Sequence, residues 1–266
     1  MKLLIVNGNT TEAVTRTVTD VARAAAPGAE IAAVTATFGA ALIASRADVA
    51  IAEHATLTAL AGHYSGFDAA LIAVSMDTGL RAARAALPIP VIGMTEAAMH
   101  TACFLGGRFG LVTFDPRCTS LYRELVEANG LIGRLAGIEV IDSNFAAVYA
   151  NTGAFENKIT DAANALVRDR GAEAVILCGA AVAGVAARIE ARVPVPMLDA
   201  VVCGVLQAEA LGRLKARKPS SGSYAWRESA RLSAVDPALA VLLETPPNPG
   251  PKADRADCVI PGGAAP

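Results

Sequence analysis

The feature that most constrains the fold is a repeated unit, in which a short apolar run ends in small or polar residues and an alanine-rich segment with helical spacing follows. The runs fall at residues 3–9, 69–79, 90–98, 109–116, 138–144, 173–184 and 194–201. Runs that are apolar at every residue, rather than at every second one, are typical of parallel strands covered by helices on both faces. The chain is therefore predicted to be an α/β protein with mainly parallel sheets.

The runs form two series of similar plan, which predicts two doubly wound lobes. We assign residues 1–100 together with 205–243 to the first lobe, and residues 101–204 to the second. From residue 244 onward the segment "ETPPNPGPKADRADCVIPGGAAP" contains six of the 14 prolines and few apolar side chains that could pack in a core. This composition predicts a flexible tail over 244–266.

Composition and charge argue against several classes of partner. Hydrophobic residues make up 53% of the chain and the net charge is -2, so no nucleic-acid partner is expected. The longest charge-free runs, 31–45 and 174–187, are shorter than the roughly 18 to 20 apolar residues of a membrane-spanning helix. No small-residue cleavage site follows the short apolar stretch in "MKLLIVNGNT", so the expected location is the cytoplasm.

The cysteines and histidines also limit the chemistry. The five cysteines are scattered without CxxC or CxxH spacing, which argues against a disulfide framework and a zinc site. With three histidines and no G-x-S-x-G motif, a Ser-His-Asp hydrolase is not favoured. Phosphate-loop and dinucleotide-binding motifs are missing as well. We expect free thiols and a site for a small molecule without a metal or cofactor.

The residues that follow the apolar runs are candidates for binding, because ligands of doubly wound sheets gather at the carboxyl ends of the strands. They are small, polar and mostly uncharged, and such groups can hold a carboxylate or imide oxygen and stabilise an enolate. The residues predicted to contact the substrate are Asn7, Asn9, Met76, Asp77, Thr113, Gly179 and Ala180. Asn7 and Asn9 fit a helix cap or turn equally well, and Asp77 could cap a helix that begins near Gly79.

Cys178 is the candidate for moving a proton. It follows the apolar run 174–177 and precedes a Gly/Ala-rich turn where a helix could begin. A helix N-terminus lowers the pKa of a thiol, which lets it act as acid or base without a metal. The alternative is a small buried side chain, the usual role of a single cysteine on an apolar strand. Cys118, three residues after the predicted helix cap Asp115, is a second candidate.

Five segments together resemble the aspartate/glutamate/hydantoin racemase superfamily, and within it the hydantoin and allantoin racemase branch. They are "LLIVNGNTTEAVT", "DAALIAVSMDTGLRAARAAL", "PVIGMTEAAMHTACFLGGRFGLVTF", "GAEAVILCGAAVAGVAARIEARVPVPMLDAVV" and "KPSSGSYA", in this order. The resemblance spans about residues 1–225. It implies two lobes with a cleft, no cofactor, a homo-oligomer, and two cysteines that face each other across the substrate carbon.

This sequence departs from the family pattern at both cysteines. The resemblance places the first in a segment like "IAVSMDTGL" and the second in one like "ILCGAAVAG". An ungapped match puts Val74 at the first position, with Ser75 beside it. It puts Gly179 at the second position, with Cys178 one residue early. A shift of one residue at the strand end would return Cys178 to the site.

The resulting functional prediction is a cofactor-independent racemase or epimerase that moves a proton on the carbon next to a carbonyl or carboxylate. Its substrate would be a small hydantoin-like or amino-acid-like compound, and its catalytic residues Cys178 and Ser75. Ser75 is a poor base alone, since an unassisted hydroxyl ionises far above neutral pH. Two alternatives stay open: a single-thiol decarboxylase or related lyase or isomerase of the superfamily, and a non-catalytic homologue that binds a small ligand.

Overall fold

The computed structural model describes residues 1–141, 143, 147–148, 151–226, 228 and 231–246. Its strands are Lys2–Asn7 (β1), Glu30–Thr35 (β2), Ala69–Ile72 (β3), Val91–Gly93 (β4), Phe109–Phe114 (β5), Leu135–Ile141 (β6), Ala174–Leu177 (β7) and Met197–Asp199 (β8). α-Helices span Glu12–Ala25 (α1), Arg46–His63 (α2), Leu80–Ala86 (α3), Met94–Leu105 (α4), Cys118–Ala128 (α5), Glu156–Arg170 (α6), Val185–Ile189 (α7), Ala200–Arg213 (α8) and Pro237–Glu244 (α9).

The strands form two four-stranded parallel sheets with the same plan. The strand order is β2-β1-β3-β4 in the first sheet and β6-β5-β7-β8 in the second. In each sheet the chain reverses its direction of winding between two central strands, β1 and β3 or β5 and β7. The prediction of an α/β fold with two similar doubly wound lobes is confirmed.

Both faces of each sheet are buried, which explains the continuous apolar runs. Alternate residues of β1, β3, β5 and β7 point into one core that both lobes share with α1, α4 and α8. The residues between them face the outer helices, α2 and α3 in the first lobe and α6 and α7 in the second. A strand covered on both sides needs apolar residues at nearly every position, and β3 and β7 are apolar throughout.

Two packed helices, α4 and α8, join the lobes. Both contact strands of both sheets, and they contact each other. Gly204 lets α8 pack closely on β3, since a Cβ there would lie 2.5 Å from Cδ1 of Leu71. The predicted lobe boundaries, 100/101 and 204/205, fall inside these two helices. The division of the chain at those residues stays a prediction. Of the predicted tail 244–266, Glu244 is the last residue of α9, and residues 247–266 lie outside the described residues.

We predict that substituting Gly110 destabilises the second lobe. Gly110 of β5 pairs with Gly137 of β6, and Leu166 of α6 packs over this point. A Cβ on Gly110 would lie 2.7 Å from Cδ1 of the buried Leu166. Gly110→Ala should therefore lower the free energy of unfolding by about 1–3 kcal/mol through overpacking. Urea denaturation followed by circular dichroism measures this change.

The matched control is Gly28→Ala, because a Cβ there meets nothing within 4 Å. It should leave the denaturation midpoint nearly unchanged. Equal midpoints for the two variants would contradict the close packing of Leu166 on Gly110.

Candidate active site

A cavity of about 220 Å³ lies where the carboxyl ends of β1 and β3 meet those of β5 and β7. These are the points at which the winding of each sheet reverses, the usual place for a ligand in such sheets. The cavity therefore belongs to both lobes. Its lining residues are Asn9, Thr11, Val14, Ala41, Leu42, Ile43, Val74, Ser75, Met76, Cys118, Tyr122, Gly179, Ala180 and Ala181.

The two positions at which the family resemblance implies cysteines both line this cavity, one from each sheet. Val74 follows β3 and Gly179 follows β7. Gly179 has φ 124°, a backbone conformation that residues with a side chain rarely adopt. A cysteine at 179 would therefore need a different loop conformation. Neither strand end supplies a thiol to the cavity from the implied position.

Cys178 is fully buried and does not line the cavity. Its backbone N–H donates to the Val112 carbonyl at 2.9 Å, which continues the strand pairing. A three-residue 3₁₀ helix, Ala180–Val182, follows it, not an α-helix. The expected lowering of its pKa is wrong, because burial raises the pKa of the Cys178 thiol far above its ordinary value. Its role in proton transfer stays a prediction.

Ser75, a predicted catalytic residue, and Met76, a predicted contact, line the cavity, whereas Asp77 lies outside it. The Asp77 carboxylate accepts the backbone N–H groups of Thr95 at 3.1 Å and Glu96 at 2.8 Å, so it caps α4 and not the helix after Gly79. Burial raises the pKa of Asp77 to about 8, although these two donors oppose the rise. Asp77 thus anchors the loop that carries Ser75.

Asn9 lines the cavity, and Asn7 supports it from a fully buried position. The Oδ1 atom of Asn9 accepts the side-chain N–H of Asn7 and the backbone N–H of Thr11, both at 2.9 Å. Asn7 also donates to Oγ1 of Thr15 at 3.1 Å. Among the described residues the amide nitrogen of Asn9 has no acceptor, so it is available to donate to a ligand.

Tyr122 connects residues from three strand ends. Ser75 follows β3, Thr113 lies on β5 and Cys178 follows β7, and the side chains of all three interact with the Tyr122 hydroxyl. Burial raises the pKa of the Tyr122 hydroxyl well above its ordinary value, so it stays protonated. Thr113 is buried and does not line the cavity. Predicted residues that are distant in sequence thus meet at one phenol.

Tyr122 was not predicted from the sequence, and Cys118 was predicted only as a second candidate thiol after Cys178. The sequence does hold a signal for this pair. Cys118 and Tyr122 both lie in the helical segment after the run 109–116, and residues four apart share a helix face. Cys118 is the first residue of α5, and it is buried at the cavity wall. Burial, followed by the nearby Asp115, raises the pKa of the Cys118 thiol to about 11. The thiol is therefore protonated at neutral pH.

The remaining wall is apolar and uncharged. The first lobe contributes apolar side chains to it, those of Val14, Leu42, Ile43 and Met76. The loop after β7 contributes the small residues Ala180 and Ala181. The 3₁₀ helix Ala180–Val182 begins at this wall. The backbone N–H groups of its first residues have no hydrogen-bond acceptor within the helix. The cavity can therefore hold a small molecule with an apolar substituent and donate hydrogen bonds to its carbonyl oxygens.

The described cysteines Cys103, Cys118, Cys178 and Cys203 are free thiols. Within the described ranges, no three His, Cys, Asp or Glu side chains form a group that could hold a metal ion. Over the same part of the chain, no helix is long and apolar enough to cross a bilayer.

Comparison with known proteins agrees with this geometry. Residues 3–208 match the model of the Asp/Glu/Hydantoin racemase family. A hydantoin racemase from Paenarthrobacter aurescens is 31% identical over 227 residues, which cover 84% of this chain and 96% of the relative. The structure of an allantoin racemase from Klebsiella pneumoniae superposes with a TM-score of 0.85 at 32% identity, over 90% of this chain and 98% of that one.

A more distant structure, unliganded arylmalonate decarboxylase, shares the fold alone, with a TM-score of 0.55 at 14% identity over 79% of this chain and 92% of that one. The family match covers most of the chain, and relatives above 30% identity extend over more than four fifths of it. The protein belongs to the Asp/Glu/hydantoin racemase family.

Proposed function

We propose that the protein is a cofactor-independent isomerase that racemises a small hydantoin-like compound by moving the proton on the carbon next to a carbonyl group. The observation that carries this proposal is the cavity itself. Val74 and Gly179, the positions of the paired cysteines in the family resemblance, line one cavity from two sheets. Two relatives that match more than four fifths of this chain are named as hydantoin and allantoin racemases.

Hydrogen-bond donors on two sides of the cavity would hold the substrate's carbonyl oxygens. The Asn9 amide donates from the first lobe, and the N–H groups at the start of the 3₁₀ helix, beside Gly179, donate from the second. Loss of the α-proton places negative charge on a carbonyl oxygen. Fixed donors in a pocket that excludes water stabilise that charge more than water does.

The groups around Tyr122 would keep the site in place. Ser75 and Tyr122 line the cavity, whereas Cys178 lies behind it and interacts with Tyr122. We therefore assign Ser75 and Tyr122 to contact with the substrate, and Cys178 to positioning the phenol. Asn7, Asp77 and Thr113 would act in the same indirect way, by holding Asn9, Ser75 and Tyr122.

One observation favours a second candidate reaction. Since neither Val74 nor Gly179 can move a proton, the two faces of the substrate carbon do not meet matching acid/base groups. A reaction that protonates a planar intermediate from one face, such as decarboxylation of a substituted malonate, needs only one such group. It is the alternative against which racemisation is tested.

The proposed activity is tested by isotope exchange. Single enantiomers of allantoin and of 5-alkyl hydantoins are incubated with the protein in deuterated water, and ¹H NMR follows the α-proton while polarimetry follows optical rotation. A racemase replaces the α-proton with deuterium and loses optical rotation, because protonation on the second face inverts the carbon. We expect both changes, at comparable rates.

Other outcomes separate the alternatives. Exchange with retained configuration, or release of carbon dioxide from substituted malonates, would support protonation from one face. Binding of these compounds without exchange or turnover would contradict the enzymatic function and support a non-catalytic homologue.

Removal of the Tyr122 hydroxyl should weaken both stability and activity. Tyr122→Phe keeps the ring but removes the hydroxyl that interacts with the side chains of Ser75, Thr113 and Cys178. We expect a loss of about 1 kcal/mol or more in unfolding free energy, because these buried polar groups lose their polar neighbour. We also expect at least a roughly tenfold lower exchange rate, because general acid–base sites tolerate little misplacement.

Tyr64→Phe is the matched control, because Tyr64 lies half-buried beside α2, outside the cavity. Denaturation and the exchange assay give the two readouts. Full exchange activity in Tyr122→Phe would show that the phenol does not organise the site.

A further inference from the structure

We propose that Cys118, at the start of α5, is the thiol that transfers the proton in this cavity, in place of thiols at the ends of β3 and β7. The inference rests on the proposed function, since it names the acid/base group for that reaction. Three observations about Cys118 support it: its access to the cavity, the lobe from which it enters, and its companion on the helix.

Cys118 is the cysteine that lines the cavity among the described residues. Cys178 is fully buried and directs its Sγ to within 3.9 Å of the Ile176 carbonyl oxygen, inside the shared core. Cys203 belongs to α8, and Cys103 lies near the end of α4, away from the cavity wall. A thiol that exchanges a proton with substrate carbon must contact it, and this requirement favours Cys118.

Cys118 enters from the lobe that carries Gly179. It follows β5, and β5 is the direct neighbour of β7 in the second sheet. The thiol thus stays on the side of the second cysteine position, although it comes from a helix and not from the strand end. The first lobe lines the cavity with the methyl groups of Val74 and the hydroxyl of Ser75.

Tyr122 lies four residues further along α5, on the same helix face, and lines the same cavity. The helix therefore presents a thiol and a phenol at a fixed separation. Both groups are buried, and burial keeps both protonated at neutral pH. Tyr122 can donate a hydrogen bond to the carbonyl oxygen while Cys118 acts on the adjacent carbon.

The proton balance is simple. The minor thiolate form of Cys118 removes the α-proton, so an S–H bond forms, the C–H bond breaks and the electron pair moves to the carbonyl oxygen. For racemisation, water beside Ser75 then protonates the planar intermediate on its other face, which inverts the carbon. The hydroxide that this leaves takes the S–H proton, which forms water and restores the thiolate. In deuterated water, deuterium enters the product in this step.

The test uses Cys118→Ser and Cys118→Ala in the isotope-exchange assay, with Cys103→Ser as the matched thiol control. Loss of an acid/base group costs roughly 100-fold or more, so both Cys118 variants should lose at least that factor in exchange rate. Cys103→Ser should keep the wild-type rate. Hydantoin binding, measured by NMR titration, should survive in Cys118→Ser and show that the cavity is still formed.

Alkylation gives a second readout that does not depend on turnover. Because the pKa of the Cys118 thiol is raised to about 11, its reaction with iodoacetamide should be slow at pH 7 and accelerate up to about pH 11. Mass spectrometry of the peptide that contains Cys118 measures this rate. A bound hydantoin should protect this thiol and leave the labelling of Cys103 unchanged.

The outcomes separate this inference from the proposed function. Exchange at the wild-type rate in both Cys118 variants would overturn the assignment to Cys118 and leave the proposed function standing. Loss of exchange in Cys178→Ala would then assign the proton transfer to Cys178. Labelling of Cys118 that a bound hydantoin does not slow would overturn its place at the substrate. No exchange in the wild-type protein would overturn both proposals.

Discussion

Burial of both sheets on both faces is the constraint on which the rest of the structure depends. Leu3, Ile5 and their counterparts in β5 point into the shared core, while Leu4 and Val6 face the outer helices. Strands buried in this way are apolar along most of their length, and their polar residues lie at or near the ends, as Asn7 does in β1 and Thr113 in β5. Because α4 and α8 bind both sheets, two sets of carboxyl ends meet and enclose one cavity.

The polar residues at these ends divide into those that line the cavity and those that hold the lining residues. Asn7 holds Asn9, and Asp77 holds the loop of Ser75 by accepting two N–H groups of α4. Buried polar groups must be hydrogen-bonded, so a neutral, rigid site requires this supporting set. Tyr122 is the clearest case, because a single phenol uses partners from β3, β5 and β7.

The sequence predicted the fold and the strand ends well, because apolar runs report burial directly. It did not separate lining from supporting residues. Ser75 lines the cavity and Asp77, two residues later, does not; Gly179 lines it and Cys178 does not. These differences depend on turn conformations, such as φ 47° at Asp77, that tertiary packing sets. Tyr122 was not predicted because the residues around its hydroxyl lie distant in sequence. The hydrophobic pattern of the helical segment indicates only which helix face Tyr122 lies on.

The conformation at Gly179 explains why chemistry in this site would move to a helix. With φ 124° there, the loop passes close to the cavity without a side chain, and adding a thiol would require another loop path. Helix α5 has no such restriction, since any residue fits its first turn, and side chains one turn apart share a face. A thiol on α5 reaches the substrate from the same lobe as one on the β7 loop, but at another angle. The fold can therefore keep its cavity and its hydrogen-bond donors while the acid/base group changes element.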